Sequence, residues 1–288
     1  MPKGHPIIKT NSKGEVPISP FDIQNFKKFY EGTIFTNFYG DRYIILKYFN
    51  AGSVLIEFLD EFHYRTNTKL SVIKTGNVKN PFHKGKFGQY VGAGLYNRKN
   101  DHPVYNVWIH MHSRVYESKT EYYSIVDSYK YCTICNEWYC FQNFASWYYN
   151  YISKLNPNYK YSIDKDIFQF NIKNKIYSPT TCCIVPEDMN NMLSGIYPKI
   201  QTVSKNVPTG VVYNCGKFYP NLVIKQNHVT NLGHYDTPME AFEVYKYHKL
   251  DYIHKCANLY YKDGAILKDV YDQLYSIDIL PYMKFIDE

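Results

Sequence analysis

The stretch YSIDKDIFQFNIKNKIYSPTTCC, from Tyr161 to Cys183, sets two carboxylates two residues apart, Asp164 and Asp166, with Lys165 between them. In an extended strand alternate residues share a face. The pair could therefore hold Mg²⁺, whose ligands are oxygens and water, or it could be two solvated hairpin carboxylates. His110 and His112 lie upstream in a segment of helical pattern. Either could serve as a general base, although a histidine on a helix is more often part of the packing. Cys132 and Cys135 form a C-x₂-C pair, and Cys182-Cys183 follows downstream. Four thiolates suit zinc. Adjacent strand residues point to opposite faces, however, so buried thiols are expected here rather than structural zinc.

Several elements must position these groups. Residues 1–32 read as a polar tail with prolines at Pro2, Pro6, Pro17 and Pro20, ending in a short helix over Pro20–Gly32. Residues 33–98 read as a β-rich, SH3-like domain. TIFTNF, RYIILKYF and SVLIEFL are strand-like and separated by short turns, which predicts a small meander or barrel. The glycines after it, Gly85, Gly88, Gly92 and Gly94, mark turns, or backbone that approaches a phosphate.

Residues 99–195 form a second domain. Val104, Val107, Trp108, Met111 and Val115 recur at helical spacing, as do Trp138, Phe141, Phe144, Trp147 and Tyr148. The hairpin around Asp164 follows, with a short helix starting at Pro186 and Glu187-Asp188 near its positive end. A linker is expected over 196–207. Residues 208–288 read as a ββ(β)α unit with a helical tail. Fold class is therefore α+β, multidomain.

The formal charge is +7, carried almost entirely by lysine, with arginine only at Arg42, Arg65, Arg98 and Arg114. Excess lysine favours polyanions, because each phosphate contact releases counterions. The 32 tyrosines suit half-wet surfaces. No apolar run is long enough for a signal peptide or a membrane span. Seven cysteines in such a chain point to reduced thiols and a cytoplasmic location.

In the C-terminal unit, Phe218, Leu222 and Ile224 alternate with Lys217, Tyr219, Asn221, Val223 and Lys225, as in a strand with one covered face. KQNH reads as a turn and HVTNLGHY as the next strand. Pro220 sits awkwardly for a central strand. Thr237-Pro238-Met239-Glu240 is a capping box with proline in the first turn. Ala241, Val244, Tyr245, His248 and Tyr252 form a stripe able to cover the sheet. Through TGV, GKF, LGHYDTPMEAF and YKYHK, these fifty or so residues resemble the AP2/ERF DNA-binding domain, a three-stranded sheet followed by a helix. The resemblance implies a base-reading face of Thr209, Val212, Asn214, Lys217, Asn221, Val223, Val229 and Asn231. That face has neither arginine nor tryptophan. Asparagine pairs with adenine, so readout biased toward A·T pairs is expected.

In the central unit, VWIHMHSRVY, CTICNEWYCFQNF and YSIDKDI…NKIYSPTTCC occur in the order of a W-x-x-M-x-x-R-x-Y helix, a C-x-E-W-x-x-F-x-x-F segment and a hairpin. Over about eighty residues this resembles phage-borne HNH-type endonucleases, many of which carry an AP2-like tail. The resemblance implies a ββα-metal frame holding Mg²⁺ or Mn²⁺ beside a phosphate of double-stranded DNA, in the cytoplasm of an infected bacterial cell. Asp164 matches the metal aspartate and Asn174 the loop asparagine, while Arg114 is a phosphate contact. Two positions depart from the pattern. Lys165 stands in place of the general-base histidine, and Thr181 in place of the metal asparagine. An unperturbed lysine is protonated at neutral pH, so Lys165 would act as a point charge on phosphate.

Three readings stand open from the sequence. One is a metal-dependent endonuclease using Asp164 and Asp166. The second is a DNA-binding protein on the same frame without cleavage. The third is an interaction protein without DNA affinity. No small-molecule cofactor is expected, and the sequence leaves the oligomeric state open.

Overall fold

A computed structural model of the 288-residue chain describes residues 9–10, 31–117, 129, 131–170, 172–193, 196, 207–224, 227–228 and 232–281. Most of the expected helix over Pro20–Gly32 and most of the 196–207 linker lie outside these residues; Glu31 and Gly32 are described, as a turn. The fold is mixed α+β, in two compact units. One comprises the chain up to Asn97 with Cys140–Gln142, and the other Arg98–Tyr139 with the chain from Asn143 onward.

The first unit is an antiparallel meander of β2 (Ile34–Thr36), β3 (Arg42–Asn50), β4 (Ser53–Phe58) and β5 (Arg65–Thr68), extended at its β2 edge by the two-residue β1 (Lys9–Thr10). Strict alternation in β4 buries Val54, Ile56 and Phe58. These meet Phe35, Tyr43 and Ile45, and the short helix α1 (Leu70–Lys74) closes the face with Leu70 and Ile73. Of the two expected forms, the meander is the one present and the barrel does not form. Strand order is linear and β1 and β5 remain edges, because one helical turn covers the apolar face that closure would otherwise bury.

Two of the glycines that follow this sheet, Gly92 and Gly94, have a packing reason. A Cβ on Gly94 would lie 2.3 Å from Gln142 Oε1, and one on Gly92 2.7 Å from Cys140 Sγ. Gln142 fills that space, donating to the Tyr96 carbonyl at 2.7 Å and accepting the Tyr96 N–H at 3.0 Å.

In the second unit, α2 (His102–Glu117) starts behind Asp101 with Pro103 in its first turn, where no N–H is needed. It buries Val104, Trp108, Met111, His112 and Val115. The expected stripe is thus met except that His112 replaces Val107. A two-residue strand, β6 (Thr133–Ile134), leads to a 3₁₀ turn at Asn136–Tyr139 and then α3 (Phe141–Ile152). β7 (Tyr161–Asp164), β8 (Ile176–Tyr177) and β9 (Cys183–Pro186) follow, and α4 (Glu187–Leu193) leaves β9 directly. β7 pairs antiparallel with β9, and β8 pairs parallel with β6. α4 packs on β7 and β9 and buries Met189, Met192 and Leu193.

The C-terminal part contains β10 (Val211–Asn214), β11 (Lys217–Pro220), β12 (Val223–Ile224), β13 (Asn227–His228), α5 (Pro238–Lys262) and α6 (Lys268–Ser276). The single strand expected from Lys217 to Lys225 is broken after Pro220. The Asn221 N–H turns to the Gly210 carbonyl at 2.7 Å, and β12 pairs instead with β13. Phe218 bridges Tyr235, which places a third segment beside β11. The capping box forms as expected, with Thr237 Oγ1 accepting from the Glu240 N–H and the Glu240 carboxylate accepting from the Thr237 N–H. The buried stripe of α5 is Ala241, Phe242, Tyr245, Lys249, Ile253 and Ala257. Val244, His248 and Tyr252 are only half-buried.

Candidate functional site

β7 ends at Asp164, opposite Cys183. The turn beyond it is built by the Asp164 carboxylate, whose Oδ1 accepts the N–H of Asp166 at 2.7 Å and of Ile167 at 2.8 Å. Asp164 is only 4% exposed. Burial pushes its carboxyl above the ordinary range, and the charge of Asp166 adds to that, against the two N–H bonds.

Lys165 is 5% exposed. Its Nζ donates to both oxygens of Asp166 at 2.8 Å and lies 4.7 Å from the centre of the Tyr129 ring. Lys175 Nζ reaches the same carboxylate at 2.5 Å. Burial on its own would push Lys165 down and Asp166 up. Their mutual attraction outweighs burial, so Lys165 is held above the ordinary lysine value and Asp166 below the ordinary carboxylate range. A lysine held in this way keeps its proton at neutral pH and cannot take one from water.

These residues do not fit a Mg²⁺ or Mn²⁺ ion. Such an ion needs several oxygen ligands with free lone pairs. Both Asp166 oxygens are engaged by ammonium groups, and a cation placed there would meet two like charges. Among the described residues, no three His, Cys, Asp or Glu side chains converge as ligands.

The remaining hairpin residues divide. Thr181 is half-buried, and its hydroxyl donates to the Ile176 carbonyl at 2.5 Å and shares a 2.7 Å bond with Ser178, so it closes the loop. Asn174 is exposed at the other end of that loop. Gln169 joins the two arms, donating to the Lys165 carbonyl at 2.8 Å and accepting the Ile176 N–H at 2.7 Å. Sequence reasoning missed Gln169, Lys175 and Tyr129. Only Gln169 carries a signal, as the one uncharged polar residue in the apolar run IFQF.

His110 is exposed. His112 is buried, with Nε2 3.1 Å from the Trp138 carbonyl that also accepts from Trp108 Nε1 at 2.6 Å. Burial lowers the His112 pKa to about 4, so it is a neutral core residue. Arg114 is exposed in the last turn of α2. Cys132, Cys182 and Cys183 are buried thiols outside any disulfide, and Cys135 is a half-buried one. Burial raises the thiol pKa of Cys135, Cys182 and Cys183.

In the C-terminal unit the strand register defines a face. Val212 pairs with Tyr219 and Asn214 with Lys217, so these four share one side of the hairpin. On the other side, Val211 and Pro220 are buried, Phe218 is half-buried and Tyr213 is exposed. Val212 and Asn214 are exposed, and Lys217 is half-buried and paired with Asp236. Asn221 and Val223 are also exposed. Thr209 is fully buried and its N–H is bonded to the Pro281 carbonyl at 2.8 Å, so its side chain cannot reach a base. Tyr219 is the member of the face that the sequence reading omitted. Val229 and Asn231 lie outside the described residues.

Comparison with protein families, with curated proteins and with solved structures returned no match for this chain.

Proposed function

We propose that this chain is a DNA-binding protein built on a ββα frame like that of HNH-type endonucleases, and that it does not cleave. The observation that carries the non-cleaving part is the Asp166 carboxylate clasped between Lys165 and Lys175. Both oxygens of the second carboxylate, Asp166, are engaged by ammonium groups rather than left for a metal, and the residue in the base position is a fixed cation. The endonuclease reading has no such support, since Thr181 spends its hydroxyl on the loop.

Binding is supported by charge and by the C-terminal hairpin. The net charge of +7 favours phosphate. The exposed Val212 and Asn214, with the half-buried Lys217 and Tyr219 on the same side, stand on a hairpin backed by a capped helix, the arrangement of a sheet that enters a major groove. Asn214 and Asn221 are the groups able to pair with adenine.

The test combines a supercoiled-plasmid nicking assay, with Mg²⁺ or Mn²⁺, and a gel-shift titration in salt. The expected result is no nicking under any condition, with DNA affinity that falls steeply as salt rises. Metal-dependent nicking that disappears in Asp164→Ala would instead establish a working nuclease. Absence of DNA binding at low salt would leave the interaction-protein reading.

A further inference from the structure

We propose that Asp236 is a charge brake on the DNA-reading face: it holds Lys217 in an intramolecular pair that has to open before Lys217 can meet a phosphate. The proposal rests on the DNA-binding reading above and adds how that same face is restrained. The N–H and carbonyl of Phe218 bond the carbonyl and N–H of Tyr235, each at 2.9 Å. Beside such an antiparallel bridge the flanking residues stand opposite each other. Lys217 is therefore set against Asp236, and Tyr219 against His234. The side chains follow that register, with Lys217 Nζ paired to Asp236 Oδ1 and the Tyr219 and His234 rings 5.9 Å apart. The outer side of the hairpin thus continues onto a third segment in two rows. One row is Asn214, Lys217 and Asp236, and the other Val212, Tyr219 and His234. Neither His234 nor Asp236 belongs to the face expected from the sequence.

Charge and exposure together give Asp236 its role. Among the described residues, Lys217 is the one lysine that this register places on the face, and Asp236 already neutralises it. The Asp236 side chain is 81% exposed and that of Lys217 39%. The face therefore presents a carboxylate to an approaching phosphate ahead of its ammonium group. An exposed ion pair is weak, so a phosphate can displace the carboxylate from the lysine. The displaced carboxylate stays beside the phosphate and repels it. Binding through this face then gains little from charge, and base contacts by Asn214 carry more of it. Asp236 also precedes the Thr237 cap, where a negative charge favours the N-terminus of α5. That structural role alone would change stability and leave the salt dependence of DNA binding as it is.

The test is a gel-shift titration of a random-sequence duplex across a salt series. It compares the wild-type chain with Asp236→Asn, Lys217→Gln and the double variant. Asp251→Asn is the charge control, because it removes the same charge from an exposed pair with Lys255 on α5. Each form is checked for native circular dichroism and thermal stability. Asp236→Asn is expected to bind about fivefold more tightly at low salt, with a log–log salt slope steeper by about one. In the Lys217→Gln background the same change should leave the slope where it is. Asp251→Asn should bind as the wild-type chain does.

Unchanged affinity and slope in Asp236→Asn, with wild-type binding intact, would overturn the brake and leave the DNA-binding reading standing. An equal gain in Asp251→Asn would reduce the effect to net charge and overturn the brake as well. A slope that steepens equally without Lys217 would do the same. Failure of every form to bind at low salt would overturn both readings.

Discussion

A carboxylate taken out of water must be neutralised, hydrogen-bonded or protonated, and the two aspartates of the hairpin take different courses. Asp166 is neutralised by Lys165 and Lys175. Asp164 is hydrogen-bonded by backbone, and its pKa is raised by burial. A carboxyl whose folded pKa is raised costs stability above that pKa, and the cost is relieved as pH falls toward the unfolded value. Asp164→Asn keeps an oxygen for both N–H groups and removes the charge. It is expected to stabilise the chain at pH 7 by roughly 1 kcal/mol, with the gain shrinking toward pH 4. Asp164→Ala orphans two buried N–H groups and should cost about 2 kcal/mol. Urea unfolding across pH measures both. A neutral or destabilising Asp164→Asn would show that the carboxylate charge is needed by the fold.

His112 gives a second pH effect of known sign. Its folded pKa is lowered to about 4, so its stabilising contribution is present above the unfolded value near 6.5 and is lost as pH falls from there toward 4. His112→Phe should therefore be less stable than the wild-type chain at pH 7, for want of one hydrogen bond, yet show a flatter decline between those two values. An unchanged slope would assign the acid limb to other groups. Neither effect is legible in the sequence. Spacing shows two carboxylates and a lysine, but the pairing of Asp166 with Lys175, nine residues on, depends on the loop's path.

At the scale of elements, local signals were the readable ones. Thr237, Pro238 and Glu240 lie within one turn, so the cap of α5 needs no distant partner. The β10–β11 hairpin is different. Its two-residue turn has both central residues at positive φ, Cys215 at 47° and Gly216 at 79°, the geometry that favours Asn-Gly. Cys215→Asn is expected to stabilise the hairpin by a few tenths of a kcal/mol up to about 1 kcal/mol, read as a higher urea midpoint. Gly216→Ala should destabilise by about 1 kcal/mol. If Cys215→Asn lowers the midpoint, the thiol makes a contact worth more than the turn preference.

The face of α5 was only half readable for a related reason. Lys249 is buried, its Nζ donating at 2.8 Å to the Met192 carbonyl at the end of α4, and its pKa is lowered by that burial. A partner 57 residues away decides that a lysine, and not His248, faces inward.

At the scale of the whole molecule, the regions on either side of 196–207 belong to one compact unit. Besides Lys249, the Asn156 N–H donates to the Gly264 carbonyl at 2.8 Å, and Tyr159 packs edge-on against Tyr260. No helix among the described residues is long and apolar enough to cross a membrane. With both Asp166 oxygens engaged by ammonium groups, the proposed non-cleaving DNA-binding function predicts that neither stability nor DNA affinity depends on divalent cations. The melting temperature and the gel-shift midpoint are expected to be the same in EDTA and in Mg²⁺ or Mn²⁺ at matched ionic strength. A saturable rise in melting temperature with Mn²⁺, lost in Asp166→Asn, would contradict this.

By itself the sequence determined the α+β class, the β4 alternation, the helical stripe of α2, the cap of α5 and the positive charge. Each is set by residues within a turn or a strand of one another, or by composition. Tertiary structure decided the rest. It left the N-terminal sheet open, buried Thr209, turned α5 onto Lys249, and closed Asp166 between two lysines. Those outcomes depend on which distant group comes within hydrogen-bonding reach and on how much water remains there, and neither quantity is written in local spacing.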